Sequence, residues 1–315
     1  MTTIDQVAQT DGKPLISVVM SYWNNLPYVQ DAVESVVTQT FISNGGRLEL
    51  IIIADGCPKD EYSRVGEMVE SLTSYAFWPK STDWDVQWVS HRGKNRVLEA
   101  SKAFISRESR YTIVVDTDDV LAPVFVQTLF DELETQRRTN PKIIMAYCDS
   151  ILIDERGFCV GIATAPDFDR DTYFNESADE SNYIPGNAIV VTERFKLSDP
   201  RDLDTPNRDK WIRHTAELRE DGIAVRVKDV HGMLVRNYFY RQHKDQMSGH
   251  KRRLEADPRY GERGFFALWP EDVEKPHWRT WLTMEREKQL WYLSLMPHTD
   301  TKAWNHYTPN PIEIT

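Results

Sequence analysis

One stretch constrains the fold of this chain more than any other: Tyr111–Leu121, with the sequence YTIVVDTDDVL. It begins with tyrosine, threonine, isoleucine and valine, which is the composition of a buried strand in a parallel sheet. The apolar run stops at Asp116, and Asp118 and Asp119 follow. Because parallel sheets bind their ligands beyond the carboxyl ends of the strands, these three acids are predicted to lie at a ligand site.

Crowded carboxylates at one strand end favour a bound cation. They repel each other and raise each other's pKa, and a divalent cation that also binds phosphate oxygens would neutralise them. A structural alternative stays open, because aspartate is also common at turns and helix starts. In that case Asp118 or Asp119 caps a helix that begins near Pro123.

Three other apolar runs in the first half end in polar loops, and helical patterns separate them. Ile16–Met20 leads into the loop SYWNN, Leu48–Ile53 into ADG, and Val86–Val89 into HRGK. Alternating strands and helices predict a mainly parallel, doubly wound sheet over about the first half of the chain. We expect the four loops, including DTDD, to line one edge of this sheet and to form one site.

The pattern changes beyond residue 140. Ile143–Tyr147, Ile151–Ile153 and Phe158–Ile162 indicate antiparallel strands, with a turn between the last two. Towards the carboxyl terminus, Trp278–Leu295 has the composition of a helix, in a region that contains five tryptophans. Because tryptophan buries a large apolar area, we expect these aromatics to pack the terminal region onto the sheet domain, with sugar stacking as the alternative.

Composition excludes several classes of function. A net charge of -11 disfavours nonspecific binding to a phosphate backbone, and His243–Arg253 is the single candidate for a basic patch. No stretch approaches the roughly 20 apolar residues of a membrane span, and Met1–Lys13 lacks a signal-peptide pattern, so a cytoplasmic protein is expected. The three cysteines form no C-x-x-C pair and indicate neither a disulfide framework nor a zinc site.

Taken in order, these segments resemble the inverting family-two glycosyltransferases of GT-A fold, over roughly Leu15 to Ser248. ISVVMSYWNN and LELIIIADG resemble the family's first two strands and loops. HRGKNRVLEASKAF resembles its glycine-containing loop and helix, and YTIVVDTDDVLAPVFV its D-x-D strand. YFYRQHKDQMS is similar to the late strand whose arginine and histidine close over the donor phosphates.

The predicted fold class is therefore α/β of the GT-A (Rossmann-like) type. A mainly parallel central sheet is flanked by helices, with a smaller antiparallel acceptor-side region and a helical, tryptophan-rich C-terminal extension. We divide the chain into a nucleotide-sugar binding subdomain at residues 14–140, an acceptor-side subdomain at 141–250, and the C-terminal extension at 251–315.

The resemblance implies a site for a nucleotide-sugar donor and for a divalent metal, manganese or magnesium. Asp55 is expected to hydrogen-bond the base, and Asp116 to contact the ribose or the metal-bound diphosphate. The other implied donor-binding residues are Ser21, Tyr22 and Trp23 around base or ribose, Gly93, Lys94, Thr117, and Arg241 as a phosphate partner. The implied metal ligands are Asp116, Asp118 and His243. Arg241 and His243 have an alternative reading as the solvent face of a strand, and Asp55 as a turn residue.

An inverting transfer also needs a base that takes the proton of the acceptor hydroxyl. In the family this base is usually a carboxylate of an acidic pair shortly before an aromatic residue. With Trp211 aligned to that aromatic, the pair falls on Pro206 and Asn207. Asp209 is the nearest carboxylate, with Asp202 and Asp204 upstream. Its alternative reading is structural, because the helix dipole favours aspartate in a first turn.

These observations predict a metal-dependent inverting glycosyltransferase that moves a sugar, from a uridine diphosphate sugar in the favoured version, to an acceptor hydroxyl. The acceptor is a glycan, a lipid-linked sugar, a protein, or a hydroxylated base in nucleic acid. The competing hypothesis is a noncatalytic module that binds nucleotide sugars or carbohydrates. A nucleotidyltransferase is a weaker alternative, because no glycine-rich basic loop follows the first strand.

Overall fold

The structure is a computed structural model that describes residues 14–23, 25–75, 85–89, 94–165, 167–171, 188–197, 222–228, 236–243 and 266–295. Strands and helices are numbered below in chain order within these ranges. The larger sheet consists of β1 (Leu15–Tyr22), β2 (Arg47–Asp55), β3 (Asp85–Val89), β4 (Ser109–Asp116), β6 (Ile143–Tyr147), β9 (Ala188–Val191) and β10 (Ile223–Arg226). The smaller sheet consists of β5 (Val120–Leu121), β7 (Asp149–Ile153), β8 (Cys159–Ala163), β11 (Arg236–Arg241) and β12 (Phe266–Leu268).

Helices occupy the connections between strands and the C-terminal region. They are α1 (Leu26–Val37), α2 (Thr40–Ser43), α3 (Lys59–Tyr75), α4 (Lys94–Ser101), α5 (Phe125–Thr139), α6 (Thr192–Lys196), α7 (Trp278–Thr283) and α8 (Arg286–Ser294). Within the described ranges, none of these helices is both long enough and apolar enough to cross a membrane.

The larger sheet is mainly parallel, as predicted. Its strand order is β10-β6-β9-β4-β1-β2-β3, and β1 pairs in parallel with both β2 and β4. Only β9 runs against its neighbours, between β4 and β6. The apolar runs of β1, β2 and β4 are buried, and α1, α3 and α5 contribute apolar faces to the same core. The predicted α/β class with a central sheet flanked by helices is confirmed.

The strands after residue 140 do not form one antiparallel unit. Cys148 alone separates β6 from β7, yet β6 pairs with β9 and β10 in the larger sheet. β7 belongs to the smaller sheet, where it forms the predicted hairpin with β8 through a turn at Gly157, whose φ is +86°. The boundary proposed at residue 140 therefore does not separate the two sheets, and the division into subdomains stays a prediction.

The tryptophan-rich region packs on the smaller sheet. Trp269, Trp278 and Trp281 are buried together with Tyr292 against apolar side chains of β7, β8 and β11. The predicted helical character of Trp278–Leu295 is confirmed, although the chain forms two helices there, α7 and α8, in place of one. In one straight helix Trp281 and Tyr292 would lie about 16 Å apart along the axis, whereas their ring centroids are 6.0 Å apart. The chain turns back so that both rings enter one cluster.

Candidate active site

The carboxyl ends of the parallel strands meet at one edge of the larger sheet. Ser21 of β1 lies opposite Asp116 of β4 on one side and opposite Ile53 of β2 on the other. Asp55 is the last residue of β2 and is buried. The structure thus brings three of the four predicted loops together, whereas the HRGK loop lies largely outside the described residues.

Three acids form a compact cluster where β4 ends. One carboxylate oxygen from each of Asp116, Asp118 and Asp119 lies within 4.8 Å of the others, and the last two residues are buried. The capping alternative does not hold, because α5 begins at Phe125 with no side-chain hydrogen bond at its N-cap. The cluster is therefore a site of concentrated negative charge.

Asp119 has its two carboxylate oxygens bound by neighbouring protein groups. The Tyr238 hydroxyl donates to Oδ2 at 2.5 Å, and the Arg241 backbone N–H donates to Oδ1 at 2.8 Å. Burial raises the pKa of Asp119 well above its usual range, and the charges of Asp118 and Asp116 raise it further against the effect of these two hydrogen bonds. Burial and the neighbouring Asp119 also raise the pKa of Tyr238, so its hydroxyl keeps the proton that it donates. Asp119 thus connects the acidic loop, Asp116–Asp119, to β11.

Asp118 points to a different partner. Its Oδ2 lies 2.9 Å from Nε2 of His243, whose side chain is only 4% exposed. The solvent-face alternative for His243 is therefore excluded. Two ligands at right angles on a cation, each about 2.1 Å from it, lie about 3.0 Å apart. The spacing of this oxygen and nitrogen is that of a direct hydrogen bond, and it also equals the separation of two ligands on one divalent cation.

Arg241 lies behind the acidic loop and is 2% exposed, so the solvent-face reading fails for this residue too. Its Nε donates to the backbone oxygen of Asp118 at 2.7 Å, and Nη2 donates to Asp31 at 3.2 Å. Nη1 lies 3.4 Å from the backbone oxygens of both Asp154 and Glu155. These contacts direct most of the guanidinium towards protein, and the predicted phosphate contact stays a prediction.

Hydrogen bonds connect the loop after β1 to the acidic loop. The Thr117 hydroxyl donates to the Ser21 backbone oxygen at 3.1 Å and accepts from the Asn25 side chain at 3.2 Å. Tyr22 is buried, and its hydroxyl donates to Glu61 at 2.9 Å. By contrast, Trp23 is 55% exposed. Within this predicted donor loop, Trp23 is therefore the aromatic ring that is available to a ligand.

Several predicted site residues lie outside the described residues. These are Gly93 and the three candidates for the base, Asp202, Asp204 and Asp209. Lys94 is the first residue of α4. Conversely, sequence reasoning missed Tyr238 and Asp31. Tyr238 lies in the segment YFYRQH that contained two predicted ligands, but Asp31 is one of many polar residues of an amphipathic helix, and nothing in the sequence distinguishes it.

Residues 17–151 match the family model described as Glycosyl transferase family 2. No curated protein matches this chain by sequence.

The chain is similar to several solved structures. The crystal structure of S. aureus TarS 1–349 in complex with UDP is 13% identical, with 72% of this chain and 60% of that chain covered and a TM-score of 0.48. The mannosyltransferase PcManGT from Pyrobaculum calidifontis, in complex with GDP-Man and Mn2+, is 12% identical, with 90% and 73% covered and a TM-score of 0.49. M. tuberculosis glucosyl-3-phosphoglycerate synthase is 14% identical, with 75% and 74% covered and a TM-score of 0.41. The chain thus spans less than two thirds of the TarS structure's length.

Proposed function

Since residues 17–151 match the family model of glycosyl transferase family 2, we propose that this chain is a metal-dependent, inverting glycosyltransferase. Its donor is a nucleoside diphosphate sugar, with uridine as the nucleoside, and its acceptor is a hydroxyl group. One observation carries the proposal: Asp118 and His243 are paired beside Asp116, at the carboxyl edge of parallel strands.

The donor atoms of this site fit a hard divalent cation. Carboxylate oxygens of Asp116 and Asp118 and the Nε2 of His243 would hold the ion, while Asp119 is already bound by Tyr238 and Arg241. A bound manganese or magnesium ion supplies positive charge that stabilises the diphosphate leaving group. The protein contributes the rigid edge that fixes these ligands, because Asp116 is the last residue of the buried strand β4.

The rest of the donor site follows the same edge. We propose that Asp55, at the end of β2, hydrogen-bonds the base and that the exposed ring of Trp23 packs against base or ribose. Thr117 holds the backbone of Ser21 beside the acidic loop, which keeps the two sides of the donor site in register. For the base that deprotonates the acceptor hydroxyl we retain Asp209, on the ground of the sequence resemblance.

A calorimetric panel tests the donor half of this proposal. Uridine, guanosine, cytidine and thymidine diphosphates, and their common sugar conjugates, are titrated with manganese and then with chelator. The proposal expects one nucleotide, uridine diphosphate, to bind tightly and only with metal. Binding of none of them, or equal binding in chelator, would remove the metal-dependent donor site.

Hydrolysis of the donor tests the enzymatic half. A glycosyltransferase transfers the sugar slowly to water when no acceptor is present, whereas a module that only binds the donor leaves it intact. We expect metal-dependent release of the nucleoside diphosphate, with inversion at the anomeric carbon. The variant Asp209→Asn should bind the donor normally and lose transfer. Normal turnover in this variant would show that Asp209 is not the base and would leave Asp204 and Asp202 as the candidates.

A further inference from the structure

We propose that Asp31 is a positioning residue of the metal site, and that Arg279 of the C-terminal extension holds Asp31 in place. The inference rests on the proposed function, because it assumes that Asp118 and His243 hold a divalent cation. It goes beyond that function because it gives a positioning role to two residues, in α1 and α7, that belong to neither the acidic loop nor β11.

The guanidinium of Arg241 is buried between α1 and the acidic loop. A buried charge is stable only where partners surround it, so these partners fix its position. Asp31 is the partner with the opposite charge, at 3.2 Å, and the ring of Tyr28 covers the guanidinium from 4.8 Å. Both residues belong to α1, so this helix holds Arg241 on one side. The backbone oxygens of Asp154 and Glu155 lie at the same guanidinium.

Arg241 in turn sets the position of the two proposed ligands. Its Nε holds the backbone oxygen of Asp118 at 2.7 Å. His243 follows two residues later, and in extended chain the side chains of residues two apart point to the same face. The Gln242 backbone N–H donates to the backbone oxygen of Ile153 at 2.7 Å, so pairing with β7 continues to the residue before His243. A displacement of Arg241 would therefore change the position of His243 relative to Asp118.

Asp31 links this arrangement to the C-terminal extension. While Oδ2 of Asp31 accepts from Arg241, Oδ1 accepts from Nη2 of Arg279 at 2.8 Å. Arg279 also lies 3.3 Å from Glu34 and packs over the ring of Trp278, with its guanidinium carbon 4.4 Å from the ring centroid. Because Trp278 is buried in the tryptophan cluster, its ring fixes the position of the Arg279 guanidinium beside Asp31.

A second contact joins the same two regions. The Trp278 N–H donates to the backbone oxygen of Gly157 at 2.8 Å. Gly157 belongs to the β7–β8 turn, in which the backbone oxygens of Asp154 and Glu155 accept from Arg241. The start of α7 is thus connected to Arg241 both through a carboxylate and through a backbone turn. This double connection makes the extension part of the support of the metal site.

The test measures manganese binding by the full chain. Free manganese is followed by electron paramagnetic resonance during titration, and the thermal unfolding of each metal-free variant is recorded in chelator. The variants are Asp31→Asn, Arg279→Ala and Arg279→Lys. Arg110→Ala is the matched control, because Arg110 is 48% exposed and pairs with Glu134 at 2.8 Å, while Arg279 is 50% exposed.

We expect Asp31→Asn to raise the manganese dissociation constant by about 10- to 100-fold, as for residues that orient metal ligands. Arg279→Ala should raise it by about 2- to 5-fold, which is the scale of one exposed ion pair. Arg279→Lys should keep most of the affinity that Arg279→Ala loses, and Arg110→Ala should leave the manganese dissociation constant unchanged. The melting temperature of the metal-free protein should change far less than the affinity.

Two results would overturn the inference in different ways. If the parent protein binds manganese and Asp31→Asn binds it equally well, the positioning role is wrong and the metal site stands. An equal loss of affinity in Arg110→Ala would also show that the effect is not specific to Asp31 and Arg279. If the parent protein binds no manganese, the proposed metal site itself fails, and the positioning role fails with it.

Discussion

The two sheets contribute to the candidate site in different ways. At the larger sheet, each acid lies at or just beyond the end of its own buried strand, so Asp55 and Asp116 are placed by local sequence. The smaller sheet depends on a pairing between distant segments: β5 pairs with β11, and Val120 lies opposite Phe239. The larger sheet presents the acidic groups, while the smaller one supplies residues that hold them in position.

Asp118 and Asp119 are adjacent, but their carboxylates have different partners. Asp118 lies beside His243 and is available as a ligand. Asp119 accepts hydrogen bonds from Tyr238 and from the backbone of Arg241, both in β11. An acid in a D-x-D-D sequence can thus be structural or a proposed ligand, depending on whether its carboxylate is bound within β11 or lies beside His243, just beyond the end of β11.

The largest effect should come from the cluster that supports the smaller sheet. Trp281→Ala should lower the free energy of unfolding by about 3–5 kcal/mol, because a buried indole leaves a large cavity. Trp291, which is 46% exposed in the next helix, is the control and should cost at most about 0.5 kcal/mol when changed to alanine. Chemical denaturation measures both. Similar small losses in the two variants would show that the cluster does not stabilise this region.

Removal of a proposed ligand should affect binding and leave the fold intact. Asp118→Ala should weaken manganese-dependent donor binding by at least about 100-fold, because changes even to residues outside the ligand set cost about 10- to 100-fold. Asp131→Ala, which removes an exposed carboxylate of α5, serves as the control. Calorimetry measures the affinity and circular dichroism the fold. An unchanged affinity in Asp118→Ala would remove it from the metal site.

Tyr238→Phe tests the contact that joins the two sheets at Asp119. Loss of the hydroxyl leaves a buried carboxylate oxygen without its donor, which costs about 1–3 kcal/mol of stability. Tyr22→Phe is the matched control, because Glu61 is partly exposed and water can replace the lost donor. The prediction is wrong if denaturant titration gives equal losses for the two variants.

Alanine substitutions at two glycines should change the free energy of unfolding in opposite directions, and these are the smallest effects that we expect. Gly157 has a φ of +86°, and an added Cβ would lie 2.6 Å from the ring of His277, so Gly157→Ala should destabilise by at least about 1 kcal/mol. Gly66 lies inside α3 with nothing within 4 Å of an added Cβ, so Gly66→Ala should stabilise by about 0.5–1 kcal/mol. Melting curves of the two variants that shift in the same direction would contradict this reading.

The sequence predicted the larger sheet well, because hydrophobic runs and polar loops are local signals. It also predicted that His243 belongs with the acidic loop, through the resemblance of one late strand. The partition of β6 and β7 between two sheets was not predictable in this way, because both are short, fully buried strands and only pairing with distant strands separates them. The contact of Asp31 with Arg241 joins residues 210 positions apart and leaves no local pattern.

Pulsed electron paramagnetic resonance of bound manganese tests whether Asp118 and His243 hold one divalent cation. With uridine diphosphate present, the spectrum should show modulation by one directly bound imidazole nitrogen. In His243→Gln the same modulation should disappear while manganese remains bound at higher concentration. A bound ion without nitrogen modulation, or modulation that persists in His243→Gln, would contradict the account.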